Sequence, residues 1–228
     1  MMTSKSAFAG IARSVVGGAI AAAIAAGSPA LAAVSYDETA SGDLSNSRST
    51  PTIVSFGLGD NIVSGASGQA NSVIDRDYFT FTLAAGQQLN AIEVLTGTTS
   101  IGPGTLSFIG IQSGTQMTVD PASFSATGLL GWTHYGPGDI GTDILGEMGT
   151  GAGATGFTPP LGSGSYTVWV QEANVGTANY RFNFLVGSVP EPSTWAMMLA
   201  GFGLIGMAMR RRGVQNSRGP SSARSLAM

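Results

Sequence analysis

The sequence has no cysteine, a single histidine and few charged residues, and each of these scarcities excludes a class of protein. The absence of cysteine excludes a disulfide framework, a thiol nucleophile and a zinc site built from thiolates. His134 is the one imidazole, and no clear Gly-x-Ser-x-Gly turn accompanies it, so a Ser-His-Asp hydrolase is disfavoured. The sequence therefore predicts a protein that is not an enzyme.

Glycine is abundant instead, at 34 of 228 residues, whereas charged residues make up only 10% of the chain. Globular proteins average roughly 7% glycine and about 25% charged residues. A disordered chain would have fewer aromatic residues and a higher net charge. The composition is typical of β-proteins whose strands are short and whose turns are built from glycine.

Acidic residues dominate between residues 33 and 189, where twelve carboxylates face three arginines and no lysine. The resulting net charge of −9 excludes nucleic acid as a partner, because binding to phosphates needs a basic surface.

An uncharged stretch, residues 193–209, precedes the cluster Arg210, Arg211 and Arg212. At about 1.5 Å per residue, its 17 residues form a helix of roughly 25 Å, enough to cross a thin bilayer. Positive residues remain on the cytoplasmic side, so everything before Pro190 is expected outside the cytoplasm. The alternative is a buried core helix, but the stretch has no polar stripe.

The chain has Pro190-Glu191-Pro192, then Trp195, then the arginine cluster. This order resembles the PEP-CTERM sorting signal of Gram-negative bacteria, in its PEPxxWA form. The resemblance implies recognition and cleavage near Pro190-Glu191-Pro192 by the exosortase, a membrane cysteine transpeptidase-like enzyme. Residues 213–228 are a departure, because members of the family usually end soon after the arginines. This polar tail is expected in the cytoplasm.

The first residues predict a cleaved secretory signal. Lys5 and Arg13 precede an apolar run, and Ala30 and Ala32 form an Ala-x-Ala site with cleavage after Ala32 or one residue later. The alternative is an uncleaved anchor. The chain is predicted to consist of four segments, namely a signal peptide over 1–32, an exported domain over 33–189, the sorting signal over 190–212 and the tail over 213–228.

Alternating apolar and polar residues predict strands at 77–83, 164–171 and 179–186. The apolar face of these strands is predicted to form the core, namely Phe79, Phe81, Leu83, Val168, Val170, Phe182 and Phe184. A hairpin is predicted between 77–83 and 88–95, and an antiparallel pair between 164–171 and 179–186, because their connections are short. Weaker strands are predicted at 52–58, 105–112, 116–119 and 129–135, with a turn at 59–61. Residues 136–162 are predicted to form a long loop, and no helix is expected between 33 and 189.

This pattern predicts an all-β domain, an antiparallel β-sandwich or jelly roll. A second pattern combines the two strands near the end of the domain with Asp75, Asp77, Phe79, Phe81 and Gly86. This pattern resembles the bacterial pre-peptidase C-terminal (PPC) β-sandwich. The resemblance implies a non-catalytic module of a secreted protein, and some such modules bind calcium or fibrous polymers.

No cofactor is predicted, and calcium is the one metal that the acidic residues would suit, since it takes six to eight oxygen ligands from loops. Asp75 and Asp77 are alternate residues beside a turn, and a hairpin would bring Asp60 near them. The alternative is that these aspartates cap turns. Asp139, Asp143 and Glu147 are the other clustered acids, and a pair of carboxylates could serve glycoside hydrolysis only at a defined separation.

The combined expectation is a non-enzymatic protein exported through the inner membrane. Its precursor is anchored there with the domain in the periplasm, and the product reaches the cell surface or matrix and associates with exopolysaccharide. The alternatives are a calcium-dependent carbohydrate- or polymer-binding module, or a secreted hydrolase.

Overall fold

The fold was analysed in a computed structural model that describes residues 33–123, 125–189 and 192–215. The strands are β1 (Ala33–Asp37), β2 (Thr52–Ile53), β3 (Gly59–Ala70), β4 (Val73–Leu83), β5 (Gln87–Val94), β6 (Ser107–Ser113), β7 (Gly131–Tyr135), β8 (Gly164–Gln171) and β9 (Gly176–Ser188). The helices are α1 (Glu38–Ser41), α2 (Leu145–Met148) and α3 (Pro192–Gln215). Single 3-10 turns lie at Pro121–Ser123 and Pro137–Asp139.

The strands follow the order β5-β9-β3-β4-β8-β6-β7, with β1 beside β3 and β2 beside β4. Neighbours in the main path are antiparallel, and the β1 and β2 pairs are parallel. β3 and β4 are joined by Asn71 and Ser72, whose φ angles of 51° and 61° form the tight turn that matches the twist of a hairpin. The all-β fold predicted from the sequence is confirmed.

The sheet folds into two layers because β4 pairs with β3 near its start and with β8 and β2 farther along. Aromatic side chains from the layers meet in the core. Phe184 of β9 lies 5.7 Å from Phe79 and 5.8 Å from Phe81 of β4, and Tyr135 of β7 lies 4.8 Å from Phe182, measured between ring centroids. The predicted core is buried, namely Phe79, Phe81, Leu83, Val168, Val170, Phe182 and Phe184.

Two predicted pairings are wrong. β5 pairs with β9 and not with β4, and β8 pairs with β4 and β6 and not with β9. In both cases a short connection carries the chain from one layer to the other, so neighbours in sequence face each other across the core. Packed sheets lie about 10 Å apart, a distance that three or four extended residues can bridge.

Several local predictions are also corrected. The turn predicted at 59–61 is the start of β3, the strand predicted at 52–58 is limited to β2, and 116–119 is not a strand. The loop over 136–162 contains α2, whose Leu145 and Met148 are buried, and α1 follows β1. Both helices have four residues, too short to give a helical period in the sequence.

α3 covers the stretch for which the sequence predicts a membrane span, and Pro192 starts it at a position where proline is favoured. Within the described part of the chain, no helix combines the length and apolar character needed to cross a membrane. The structure has a helix at this place. The predicted crossing of a membrane is not confirmed.

Candidate functional site

Three carboxylates converge where α1 approaches the start of β4. Glu38 lies in α1, Asp43 in the loop that follows, and Asp77 in β4, and one oxygen of each lies within 4.8 Å of the others. We call these three residues the acidic cluster. Asp43 is exposed, Glu38 is half-buried and Asp77 is fully buried, so the acidic cluster runs from the surface into the core.

Local hydrogen bonds hold α1 in place beside β3. Asp37 begins the helix, since its Oδ1 accepts the Thr39 backbone N–H at 2.9 Å. Gly42 ends it with a φ of 93°, a conformation that glycine adopts without strain, and its N–H donates to the Glu38 carbonyl at 3.0 Å. The parallel pairing of β1 with β3 then sets α1 over Gly65 and Ala66 of β3.

The Glu38 carboxylate is bound by the backbone. Its Oε1 accepts the Leu44 N–H at 3.1 Å and its Oε2 accepts the Ala66 N–H at 2.8 Å. The Tyr180 hydroxyl donates to Oε1 at 3.5 Å. Burial raises the pKa of Glu38, while the two backbone N–H groups lower it. Gly65 is required here, because a Cβ at that position would collide with Glu38 and Tyr180.

Asp77 is the unusual member of the acidic cluster. Its side chain is on the core-facing side of β4, with 0% exposure, and neither carboxylate oxygen has a hydrogen-bond partner among the described residues. Burial, and then the charge of Glu38, raise the pKa of Asp77 to about 9, although the nearby Tyr180 hydroxyl lowers it. A buried carboxylate without partners is costly, so this position favours either a proton or a cation.

The other carboxylates beside the acidic cluster carry negative charge, whereas the Tyr180 hydroxyl is neutral. Burial and then Asp75 raise the pKa of Asp43, and burial and then Asp77 raise the pKa of the Tyr180 hydroxyl well above its usual value. Asp75 is half-buried, and its Oδ1 accepts a hydrogen bond from Asn46 Nδ2 at 2.8 Å. The acidic cluster therefore lies in a negative environment that would attract a cation.

The predicted metal residues are only partly brought together. Asp77 belongs to the acidic cluster, and Asp75 is near enough to raise the pKa values of its three members. Asp60 does not join them. Asp75 pairs with Gly68 of β3, and Asp60 is eight residues earlier on that strand, about 26 Å away at ~3.3 Å per residue. Its Oδ1 accepts a hydrogen bond from Asn183 Nδ2 at 2.8 Å.

Sequence reasoning missed Glu38 and Asp43, which lie in a polar segment without a usable period. A signal for Asp77 was present, however. The alternation that places Phe79 and Phe81 in the core also places Asp77, two residues before Phe79, on the same face. A carboxylate on the core face of a strand is unusual enough to mark a candidate site.

Two of the acids of the segment 136–162, Asp139 and Asp143, have structural partners. Asp143 Oδ1 accepts the N–H groups of Ile92 and Leu145, at 3.0 and 2.9 Å, and so joins β5 to the start of α2. Asp139 Oδ2 accepts the Gly136 N–H at 2.8 Å. His134 is exposed, and its ring lies 5.4 Å from Trp132 in an edge-to-face arrangement. Among the described residues, this environment is aromatic and gives the imidazole no hydrogen-bond partner of the kind that orients a catalytic base.

The predicted sorting residues follow β9 in the sequence. Ala30, Ala32, Pro190 and Glu191 are outside the described residues, as is the tail after residue 215. Pro192 and Trp195 are in the first turns of α3, and the arginines at 210–212 are in its last turns. Val189, the last described residue before the motif, donates its N–H to the Gly86 carbonyl at 2.7 Å.

Comparison with known proteins gave one match. The family model of the PEP-CTERM protein-sorting motif matches residues 188–212, which confirms the sorting signal predicted from the sequence. Such a motif implies export and membrane-anchored sorting by an exosortase. No curated protein and no solved structure matches the chain, so the resemblance of residues 33–189 to the PPC sandwich stays a prediction.

Proposed function

We propose that this chain is the precursor of a non-enzymatic protein of the cell surface or extracellular matrix, where its β-sandwich associates with exopolysaccharide. The observation that carries the proposal is the sorting motif at residues 188–212, which follows the last core strand directly. In this proposal the signal over 1–32 directs export, and an exosortase then processes the chain near Pro190-Glu191-Pro192.

The geometry at the end of β9 suits that processing. β9 ends at Ser188 and α3 begins at Pro192, so in the sequence Pro190 and Glu191 fall in the short link between strand and helix. Cleavage in this link removes α3 and leaves every strand of the sandwich in place. The released domain would therefore keep its core.

The anchored precursor is oriented by its charges. We propose that the sorting segment holds the precursor at the inner membrane, with Arg210, Arg211 and Arg212 in the cytoplasm and the sandwich in the periplasm. Moving an arginine through lipid costs on the order of 2.5–3.5 kcal/mol by insertion scales, so three of them oppose translocation strongly.

A non-enzymatic role is supported by how the candidate catalytic groups are used. Asp143 and Asp139 accept backbone N–H groups, and His134 faces aromatic rings. A screen of purified protein against polysaccharides, with binding and the release of reducing ends measured separately, tests this role. We expect binding without release, and release above the level of a heat-denatured control would contradict it.

Calcium binding at the acidic cluster is a second proposed function, and the observation that favours it is Asp77, whose buried carboxylate oxygens accept no hydrogen bond from the described residues. Oxygen ligands of one calcium ion lie at 2.3–2.6 Å from it, hence at most roughly 5 Å apart, which the separations within 4.8 Å satisfy. Glu38, Asp43 and Asp77 would supply carboxylate ligands, and water could supply others at the exposed side of Asp43. Calcium would there link α1 to β4.

Two variants of the sorting segment test the proposed processing. Replacing Pro190, Glu191 and Pro192 by alanine should trap a full-length, membrane-bound form, because the enzyme loses its recognition site. Replacing Arg210, Arg211 and Arg212 by alanine should instead release or mislocalise the precursor, because the positive stop is lost.

Fractionation with an antibody to the exported domain distinguishes the two variants, and intact mass identifies the processed ends. The parent protein at the surface should lack residues 1–32 and the residues after the motif. Identical behaviour of the two variants, or a surface protein whose mass still includes Trp195 to Met228, would contradict the proposed processing.

A further inference from the structure

A row of aromatic side chains lies on the outer face of the layer formed by β4, β8, β6 and β7. Tyr78 is the register partner of Trp169, with ring centroids 5.9 Å apart, and Phe108 lies 4.7 Å from Trp169. Phe108 also stacks on Trp132 at 5.9 Å with an interplanar angle of 27°. We call Tyr78, Trp169, Phe108 and Trp132 the aromatic row.

Gly110 makes the row continuous. It is the register partner of both Trp169 and Trp132, so it lies between the two indoles. A Cβ on Gly110 would come within 2.8 Å of the Phe108 ring, and only a residue without a side chain lets that ring lie over β6. The backbone therefore places three rings side by side across three strands.

The two ends of the aromatic row differ in their surroundings. Tyr78 and Trp169 are buried in a small outer core with Met117, Val119 and Leu129. Phe108 and Trp132 are half-buried, and His134, beside Trp132 on β7, is exposed. The Trp132 Nε1–H donates to the Ala152 carbonyl at 3.0 Å, which fixes the orientation of the indole before a ligand binds.

Two adjoining cavities open along this end of the row and share Leu106, Trp132 and His134. Their volumes are about 560 and 290 Å³. Polar groups line both, with Asp139, Glu147 and Thr150 in the larger and Gln171, Glu172 and Asn174 in the smaller. No lysine or arginine of the described chain lines either cavity.

The polar groups are not equally available to a ligand. Glu172 is buried, and its carboxylate accepts hydrogen bonds from Ser107 Oγ at 3.1 Å and Asn174 Nδ2 at 2.7 Å. Glu147 is exposed at the rim of the larger cavity, on α2. We therefore expect Trp132 to supply the contact surface and Glu147 to accept hydrogen bonds from ligand hydroxyl groups.

We propose that these joined cavities bind an uncharged polysaccharide chain, a proposal that rests on the polysaccharide association proposed above. The faces of sugar rings carry C–H groups with partial positive charge, which pack on the negative face of an aromatic ring. Sugar hydroxyls donate to carboxylates. Acidic lining without a cation disfavours polymers of uronic acids and nucleic acid, because both would bring like charge to the site.

Binding by the purified full-length chain in a mild non-ionic detergent tests the site. The probes are dextran and a soluble β-1,3-glucan as uncharged polymers, and alginate as an anionic one, with affinity read from electrophoretic retardation. The parent should bind an uncharged glucan. Trp132→Ala should weaken that binding about tenfold, as loss of an aromatic anchor does. Trp132→Phe, which keeps a ring, should retain most of it.

Glu147→Gln covers the case in which Trp132→Ala disturbs folding, because the Glu147 side chain is exposed on α2. It should weaken binding about fivefold. The matched control is Ile53→Ala, at a residue 81% exposed on β2 of the same layer, which should bind like the parent.

Each other result overturns the site. If the parent binds a glucan and both Trp132→Ala and Glu147→Gln leave the affinity unchanged, the site is wrong although polysaccharide association stands. If the parent binds alginate alone, the proposed ligand class is wrong. If it binds none of the polymers, the site and the association both fail, while sorting is judged independently by the processing variants.

Discussion

Replacing Asp77 by Asn should change how the stability of the sandwich depends on pH. The pKa of Asp77 is about 9 in the folded state and close to 3.9 in an unfolded chain. Between these values the folded state holds a proton that the unfolded state has lost. The stability contribution of this proton is fully present below pH ~4 and is lost progressively as the pH rises toward ~9. Asparagine removes the titration.

The expected size follows from the linkage relation. One proton bound in the folded state and absent from the unfolded state gives a slope of about 1.4 kcal/mol per pH unit. Three pH units, from 4 to 7, therefore cost about 4 kcal/mol, a large part of the ~5–15 kcal/mol that stabilises a typical domain. Glu38, Asp43, Asp75 and the Tyr180 hydroxyl face the same carboxyl and remain in the variant.

Urea unfolding followed by tryptophan fluorescence measures this effect, with a calcium chelator present and the pH varied from 4.5 to 8. The difference in free energy of unfolding between Asp77→Asn and the parent should shift in favour of the variant as the pH rises. Asp60→Asn, at the other end of β3, is the matched control and should follow the parent. Parallel curves for Asp77→Asn and the parent would refute the assignment of Asp77 as a buried neutral carboxyl.

Calcium should act in the opposite direction if the acidic cluster binds it. A ligand that binds only the folded state adds about 2.7 kcal/mol at one hundred times its dissociation constant. Millimolar calcium should therefore raise the melting temperature of the parent and of Asp60→Asn, and leave that of Asp77→Asn nearly unchanged. Equal shifts in all three proteins would place the ion elsewhere.

Two further predictions concern packing. Phe81→Ala should lower the free energy of unfolding by about 3–5 kcal/mol, since Phe81 is buried between Phe56, Tyr166 and Phe184. An unchanged urea midpoint would mean that the strand faces are misassigned. Gly65→Ala should lower the urea midpoint because its Cβ collides with neighbouring side chains. Gly57→Ala is the control, because open space surrounds that position, and its urea midpoint should change little. Equal stability of the two variants would contradict the crowding at Gly65.

The sequence predicted the faces of the strands better than their partners. Alternation showed that Phe79 and Phe81, like Val168 and Val170, would be buried, because a period of two is a property of the strand itself. Pairing depends on where the next strand lies in space. β4 and β8 were each assigned to the following strand, although the chain crosses to the other layer after both of them.

β3 was missed because glycine has two uses. The sequence predicted a turn at Gly59 and no strand over Gly65 and Gly68, two glycines that allow close approach. A Cβ at Gly68 would meet the backbone of Gly176, as one at Gly65 would meet Glu38 and Tyr180. The acidic cluster could not be predicted without β3, since Glu38 reaches Asp77 only when β1 and β3 pair side by side.

The position of β9 has a mechanical consequence. This strand of 13 residues is hydrogen-bonded to β3 on one side and β5 on the other, and the chain leaves it straight into the sorting segment. A domain held at its C-terminus and dragged by flow would be pulled along the axis of β9. Antiparallel hydrogen bonds lie perpendicular to their strands, so this force would shear them together and would not open them one by one. A tether at this end therefore places tension on a strand that hydrogen bonds hold along both edges.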